Sequence, residues 1–218
     1  MKILGLTGSV AMGKTEAAKA FARLRVPVFI ADAAVHELLA RDRRTIAAVR
    51  RAFPKAATDR VVDRAALGAR VFGDASALAA LEAILHPRVR AAERRFIATV
   101  RKVGAPLAVL EIPLLFETGA EALCDAVAVV SAPAAVQRRR ALARPGMTPA
   151  KLRAIAKRQM PDREKRRRAD FVIDTGGVKH HMLRQVREIV KILCPPQPAK
   201  QSPPVHARSR PRHRNHRA

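Results

Sequence analysis

Two kinds of segment alternate along the chain. Short, mainly apolar runs occur at Ile3–Leu6, Val26–Ile30 (around Pro27), Leu107–Ile112, Ala126–Val130 and Phe171–Asp174, with acids only at Glu111 and Asp174. Runs of this length predict strands buried on both faces. Between them, apolar positions recur at helical spacing, as with Ala17, Ala18, Phe21 and Leu24 in Gly13–Leu24. Helical patterns continue through about Ala33–Phe53, Ala65–Phe72 and Ala75–Leu85, with a polar link at Asp59–Arg64. Pro87 suits the first turn of a separate helix running to about Lys102. Further helices are predicted at Ala134–Ala143, Pro149–Gln159, Asp162–Ala169 and Val178–Leu193. The alternation predicts an α/β fold, a parallel β-sheet flanked by helices. The helical block at about 33–104 exceeds what one crossover needs, and predicts a helical insertion in a core of about 1–32 and 105–194.

One turn in this pattern carries chemistry. Gly8-Ser9-Val10-Ala11-Met12-Gly13-Lys14-Thr15 matches G-x-x-x-x-G-K-[ST] between a predicted strand and a predicted helix. Gly8 and Gly13 let the backbone turn tightly and approach a phosphate. Successive amides then form an anion nest, backed by the positive end of the helix. Lys14 supplies an ammonium for the β- and γ-phosphates, and Thr15 a hydroxyl for Mg²⁺. Glu16 follows directly and joins the predicted ATP-binding segment Gly8–Glu16. Ala11 fits such a loop if its φ stays negative. The predicted fold is therefore P-loop kinase-like.

Asp32 follows the second strand, at the carboxyl edge where doubly wound sheets bind ligands. A carboxylate there can accept a proton from an attacking hydroxyl; an N-cap before Ala33 is the competing reading. Glu111 ends the third strand, at a position open to a water-bridged Mg²⁺ or to no ligand at all. From Arg138 to Arg168 there are thirteen Lys or Arg against two acids. This block, about 134–168, predicts a cationic lid that offsets charge on a transferring phosphoryl group. Arg140 and Arg144 share one helix face.

Composition narrows the partners. The chain of 218 residues carries a formal net charge of +25 but no Trp or Tyr and only seven Phe. The charge implies polyanionic ligands. The scarcity of aromatics disfavours base-stacking nucleic-acid modules. Two cysteines, Cys124 and Cys194, make neither a zinc set nor a disulfide framework, and predict free thiols in a cytoplasmic protein. No window is apolar enough for a membrane span. Residues 195–218 are rich in Pro and Arg without one acid, which predicts a disordered basic tail.

Taken in order, these residues resemble the dephospho-coenzyme A kinases over about Lys2–Leu193. The matching features are Leu6-Thr7-Gly8 with Gly13-Lys14-Thr15; Ala31-Asp32; Asp63-Arg64 with Leu67 and Val71-Phe72; and His86-Pro87 with Val89-Arg90. They continue through Pro113-Leu114-Leu115-Phe116-Glu117, Cys124-Asp125, Gln137, Arg140, Arg144, Gln159, Lys165 and Ala169-Asp170. The resemblance implies phosphorylation of the ribose 3′-hydroxyl of dephospho-coenzyme A by ATP with Mg²⁺, the last step of coenzyme A synthesis. It implies a catalytic set of Asp32 as base, Lys14 and lid Arg140. It places His86, Arg90, Leu114, Leu115 and Glu117 on the substrate side. No membrane or nucleic-acid partner is implied, and a monomer or weak oligomer is expected. Two departures stand out. Ile30 occupies a position where the family usually has Asp, and Ser9, Ala11 and Met12 replace Gly, Gly and Ser in the loop. Another P-loop kinase acting on a small molecule or nucleotide, and a basic nucleic-acid-binding protein, are the alternatives.

Overall fold

The computed structural model describes residues 1–195; the predicted tail beyond Pro195 lies outside them. Five strands, β1 (Lys2–Thr7), β2 (Val28–Ile30), β3 (Leu107–Glu111), β4 (Ala126–Ser131) and β5 (Phe171–Asp174), form one sheet in the order β2-β3-β1-β4-β5. Every pairing is parallel. Side chains alternate between faces along each strand. Leu4, Leu6, Ala128 and Val130 pack with Phe21 of α1 (Lys14–Arg23) and with Val186 and Ile189 of α9 (Lys179–Leu193). Val127 and Val129 belong to a different cluster, against Leu115 and Phe116. Both faces of β1, β3 and β4 are therefore covered, which is why these central strands read as mainly apolar runs, while β2 and β5 at the sheet edges are only partly buried.

Two aspartates of the ordered set prove to be register pins. Asp125, just before β4, accepts a hydrogen bond from the Ile3 amide of β1 at 2.7 Å. Asp170, just before β5, accepts one from the Val127 amide of β4 at 2.8 Å. Each carboxylate satisfies a donor that the next strand begins too late to reach.

Between β2 and β3 lie α2 (Ala31–Arg41), α3 (Arg43–Ala52), α4 (Arg64–Val71) and α5 (Ala75–Lys102). Asp42, Asp63 and Asp74 cap α3, α4 and α5 by accepting first-turn amides. Leu39, Ile46, Val49, Leu67, Leu81 and Leu85 form a separate apolar cluster that holds these helices together. One expectation fails here. The two helices predicted on either side of Pro87 are a single helix of 28 residues. Proline removes one backbone donor from the interior, the one that would meet the Ala83 carbonyl; in the same turn Arg88 Nη1 donates to the Ile84 carbonyl at 2.6 Å. Packing on two cores carries the helix through: Leu81 and Leu85 on the helical cluster, and Phe96 beside Phe29 of β2 at 5.6 Å between ring centroids.

The inward face of α5 also buries Glu93, 4% exposed, whose Oε1 has no hydrogen-bond partner. Burial raises its pKa, opposed by the charges of Arg90 and Arg94. A carboxyl raised in the folded state holds its proton where the unfolded chain, near 4.5, has released it. Native stability therefore falls as pH rises from that value through the folded pKa. Replacing Glu93 with leucine is expected to raise unfolding stability at pH 7 by about 1–3 kcal/mol, the usual cost of an unsatisfied buried polar group. Urea unfolding at pH 7 and pH 4 checks this: the gain should shrink at the lower pH.

After β4, α6 (Ala134–Leu142), α7 (Pro149–Lys157) and α8 (Asp162–Arg168) complete the structure. Among the described residues no helix is long and apolar enough to cross a membrane.

Candidate active site

β1 lies between β3 and β4, so the chain leaves the sheet in opposite directions on its two sides. The loop after β1 thus sits where parallel sheets open a crevice. Its conformation is built around residues without room for side chains. Gly8 has φ 151°, and a Cβ there would run into the Val130 carbonyl oxygen. Gly13 has φ 93° at the N-cap of α1, and its Cβ would meet Thr175 Oγ1 at 3.1 Å.

Ala11 departs from expectation: its φ is +60° rather than negative. The left-handed region costs a non-glycine residue roughly 1–2 kcal/mol. Ala11 is held there because both neighbours are tied down. Val10 is gripped through its peptide: its carbonyl accepts from Gln137 Nε2 and its amide donates to Gln159 Oε1, each at 2.9 Å. Met12 is gripped likewise. Its carbonyl accepts from Thr175 Oγ1 at 2.6 Å, and its sulfur accepts from the Ala132 amide at 3.2 Å. Alternation between left- and right-handed residues is what turns successive amides into an anion nest. Among the described residues, the amides of Ala11, Gly13, Lys14 and Thr15 have no protein acceptor.

Lys14 Nζ donates to the carbonyls of Gly8 and Ser9 at 2.7 and 3.4 Å, which folds its ammonium over the loop. Burial lowers its pKa, while the nearby carboxylates of Glu111 and Asp32 act in the opposite sense. Burial likewise raises the pKa of Glu111, which Lys14 lowers and Asp32 raises. These three groups therefore form one electrostatic unit.

All three line a cavity of about 590 Å³ with Thr15, Arg140 and Arg144. Arg140 is oriented by Thr175, to whose hydroxyl and carbonyl it donates at 3.2 and 2.7 Å. Asp32 stands in the first turn of α2, whose N-cap is Ile30, so it is not the cap of that helix. Ile30 also lines the cavity, and in the sheet it is paired with Glu111. The adjacent strand thus places a carboxylate beside the position where this chain has isoleucine. For a metal ion the site offers the oxygens of Thr15, Asp32 and Glu111. Among the described residues no group of three or more His, Cys, Asp or Glu forms a metal cage. Few, hard oxygen donors beside a phosphate nest suit Mg²⁺ carried in on nucleotide phosphates.

A sequence model of the dephospho-CoA kinases matches residues 2–180, which include every residue of this cavity lining except Met182. The chain belongs to the dephospho-CoA kinase family. It is 57% identical over 199 residues to a dephospho-CoA kinase of Paramagnetospirillum magneticum, covering 91% of this chain and 94% of that one. It is 58% identical over 178 residues to one from Mesorhizobium japonicum, covering 81% and 88%. A crystal structure of a Thermus thermophilus protein superposes with a TM-score of 0.74 at 36% identity, over 88% of this chain and 96% of that one.

Within this dephospho-CoA kinase family member, the cavity gathers only part of the predicted set. Val10, Ala11, Gly13, Lys14, Thr15 and Glu16 line it, whereas Gly8, Ser9 and Met12 are buried outside the lining. None of the five residues assigned to the substrate side lines it. His86 and Arg90 are exposed on α5. Leu114 is half-buried, and Leu115 is fully buried in the core. Glu117 is ion-paired to Lys165 at 2.9 Å. For Leu114, Leu115 and Glu117 the physical reason is that the chain after Pro113, which itself lines the cavity, folds back to cover the sheet with Leu115 and Phe116. Thr175 and Gln159 line the cavity without having been assigned to the site. Thr175 follows β5 at the carboxyl edge of the sheet, the signal that could have found it.

Proposed function

We propose that this chain transfers the terminal phosphoryl group of ATP to the ribose 3′-hydroxyl of dephospho-coenzyme A, giving coenzyme A and ADP. One observation carries the reading. In a chain of the dephospho-CoA kinase family, the phosphate loop with Lys14 opens into the same cavity as Asp32 and Arg140. The two free cysteines fit a reducing cytoplasmic setting.

In this mechanism the loop amides and Lys14 bind the triphosphate. Thr15, with Asp32 and Glu111 nearby, would hold Mg²⁺, which would supply charge neutralisation at the nucleotide phosphates. Asp32 orients the ribose hydroxyl and takes its proton as the new O–P bond forms. The bond from the γ-phosphorus to the bridging oxygen breaks, and ADP leaves with that electron pair. Lys14 and Arg140 offset the charge spread over the transferring group, so positioning and preorganised electrostatics supply most of the acceleration. Residues 33–104 serve as the acceptor-side insertion and 134–168 as the lid. Contacts already join them: Arg158 of the lid pairs with Glu82 at 2.8 Å, and Lys151 lies over the Phe72 ring at 5.7 Å.

Purified protein with ATP and Mg²⁺ is expected to release ADP only when dephospho-coenzyme A is added. Equal ADP release with other hydroxyl acceptors, or none with this one, rejects the assignment.

A further inference from the structure

Lys165 is completely buried, an extreme placement for an ammonium group. It lies in α8, at the end of the basic segment. Its partners come from the segment after β3: Glu117 Oε1 at 2.9 Å and the Pro113 carbonyl at 3.4 Å. The Pro113 carbonyl also accepts from Thr7 Oγ1, at the end of β1, at 3.1 Å. Glu117 Oε1 accepts a second hydrogen bond, from the Met160 amide at 2.7 Å. The residue immediately before Met160 is Gln159, whose side-chain oxygen accepts the Val10 amide of the phosphate loop at 2.9 Å. A continuous polar chain thus runs from Lys165 through Glu117 and the Met160 amide to Gln159 and the loop.

This arrangement is stiff for a physical reason. A buried ion pair with one partner displaced leaves an uncompensated charge in the interior. Glu117 and Lys165 therefore stay together, and Met160 stays with them. Gln159 inherits that fixed position. The Val10 peptide it grips precedes strained Ala11, where the backbone must hold φ +60° for the nest to form.

We propose that Lys165, Glu117 and Gln159 are positioning residues for phosphoryl transfer, the buried ion pair fixing Gln159 so that it holds the Val10 peptide and the phosphate nest in register. The inference rests on reading the cavity as the phosphoryl-transfer site. Glu117 then acts through the loop and makes no contact with the acceptor.

The test uses the full chain and two variants. Glu117→Leu with Lys165→Met removes both charges together, leaving neither unpaired, so melting should stay near wild type. Gln159→Leu cuts the last link without touching a buried charge. Each is expected to lower kcat about 100-fold, as small misplacements of reacting groups do, with KM moved far less. Each should also speed hydrogen exchange at the Val10 amide in nucleotide-free protein while leaving the β1 and β4 amides of the sheet unchanged, whereas loss of global stability would speed the sheet amides too. Wild-type kcat with wild-type Val10 protection in the double variant overturns the role of the ion pair. The same result in Gln159→Leu overturns the link to the loop, and decides the matter if the double variant does not fold. Should wild-type protein make no ADP from dephospho-coenzyme A, the proposed reaction fails, while Val10 exchange still reads whether the chain of contacts holds the loop.

Discussion

Replacing Lys14 with alanine is expected to lower kcat by about a thousandfold or more, the scale of losing a preorganised charge aimed at a developing one. The fold should survive. Among the described residues the Lys14 ammonium bonds only to the Gly8 and Ser9 carbonyls within its own loop, and the loop is braced independently by Gln137, Gln159 and Thr175. Steady-state kinetics beside thermal melting separates the two effects; near-normal turnover would remove the phosphate loop from the mechanism. The same lysine sets an alkaline limit. Burial lowers its pKa below the usual 10.5, so the free enzyme loses this cation earlier than an exposed lysine would. Bound triphosphate is negative and pulls the value back up. The kcat/KM profile should therefore fall at a lower pH than the kcat profile, since the first reports free enzyme and the second the complex. Coincident alkaline limbs would show that another group is titrating.

The second large effect is at Asp32. Asp32→Asn keeps the size of the side chain and removes its ability to take a proton. We expect kcat to fall by about 10²- to 10⁴-fold, the range for loss of general-base catalysis. ATP affinity should change little, since the loop amides and Lys14 bind the triphosphate. Stability should also change little, because Asp32 is exposed and makes no cap bond in α2. Pre-steady-state phosphoryl transfer, measured with ATP binding in the same protein, is the decisive experiment. An unchanged rate would leave Asp32 only as a favourable charge in the first turn of a helix.

How much of this was legible in advance depends on distance along the chain. The phosphate loop is eight consecutive residues, Gly8–Thr15, and its chemistry is local: two glycines, a lysine and a hydroxyl between a strand and a helix. The five strands and most helices were legible for the same reason, because periodicity is set by near neighbours. Asp32 was placed at the right edge of the sheet by its position after β2, but its standing in the first turn rather than at the cap depended on where α2 began. Ala11 went the other way: local sterics argue against its positive φ, and only braces from distant segments hold it.

The nucleotide loop, the parallel α/β architecture and the family to which this chain belongs are each written in short contiguous patterns of residues. It takes three-dimensional packing to carry α5 unbroken through Pro87, to turn Glu117 inward to Lys165, and to bring Gln137, Gln159 and Thr175 together on Val10 and Met12. Those last contacts span separations of 127, 149 and 163 residues. A hydrogen bond across such a distance leaves no periodic trace in the chain; it exists because sheet order and helix packing bring its two ends together.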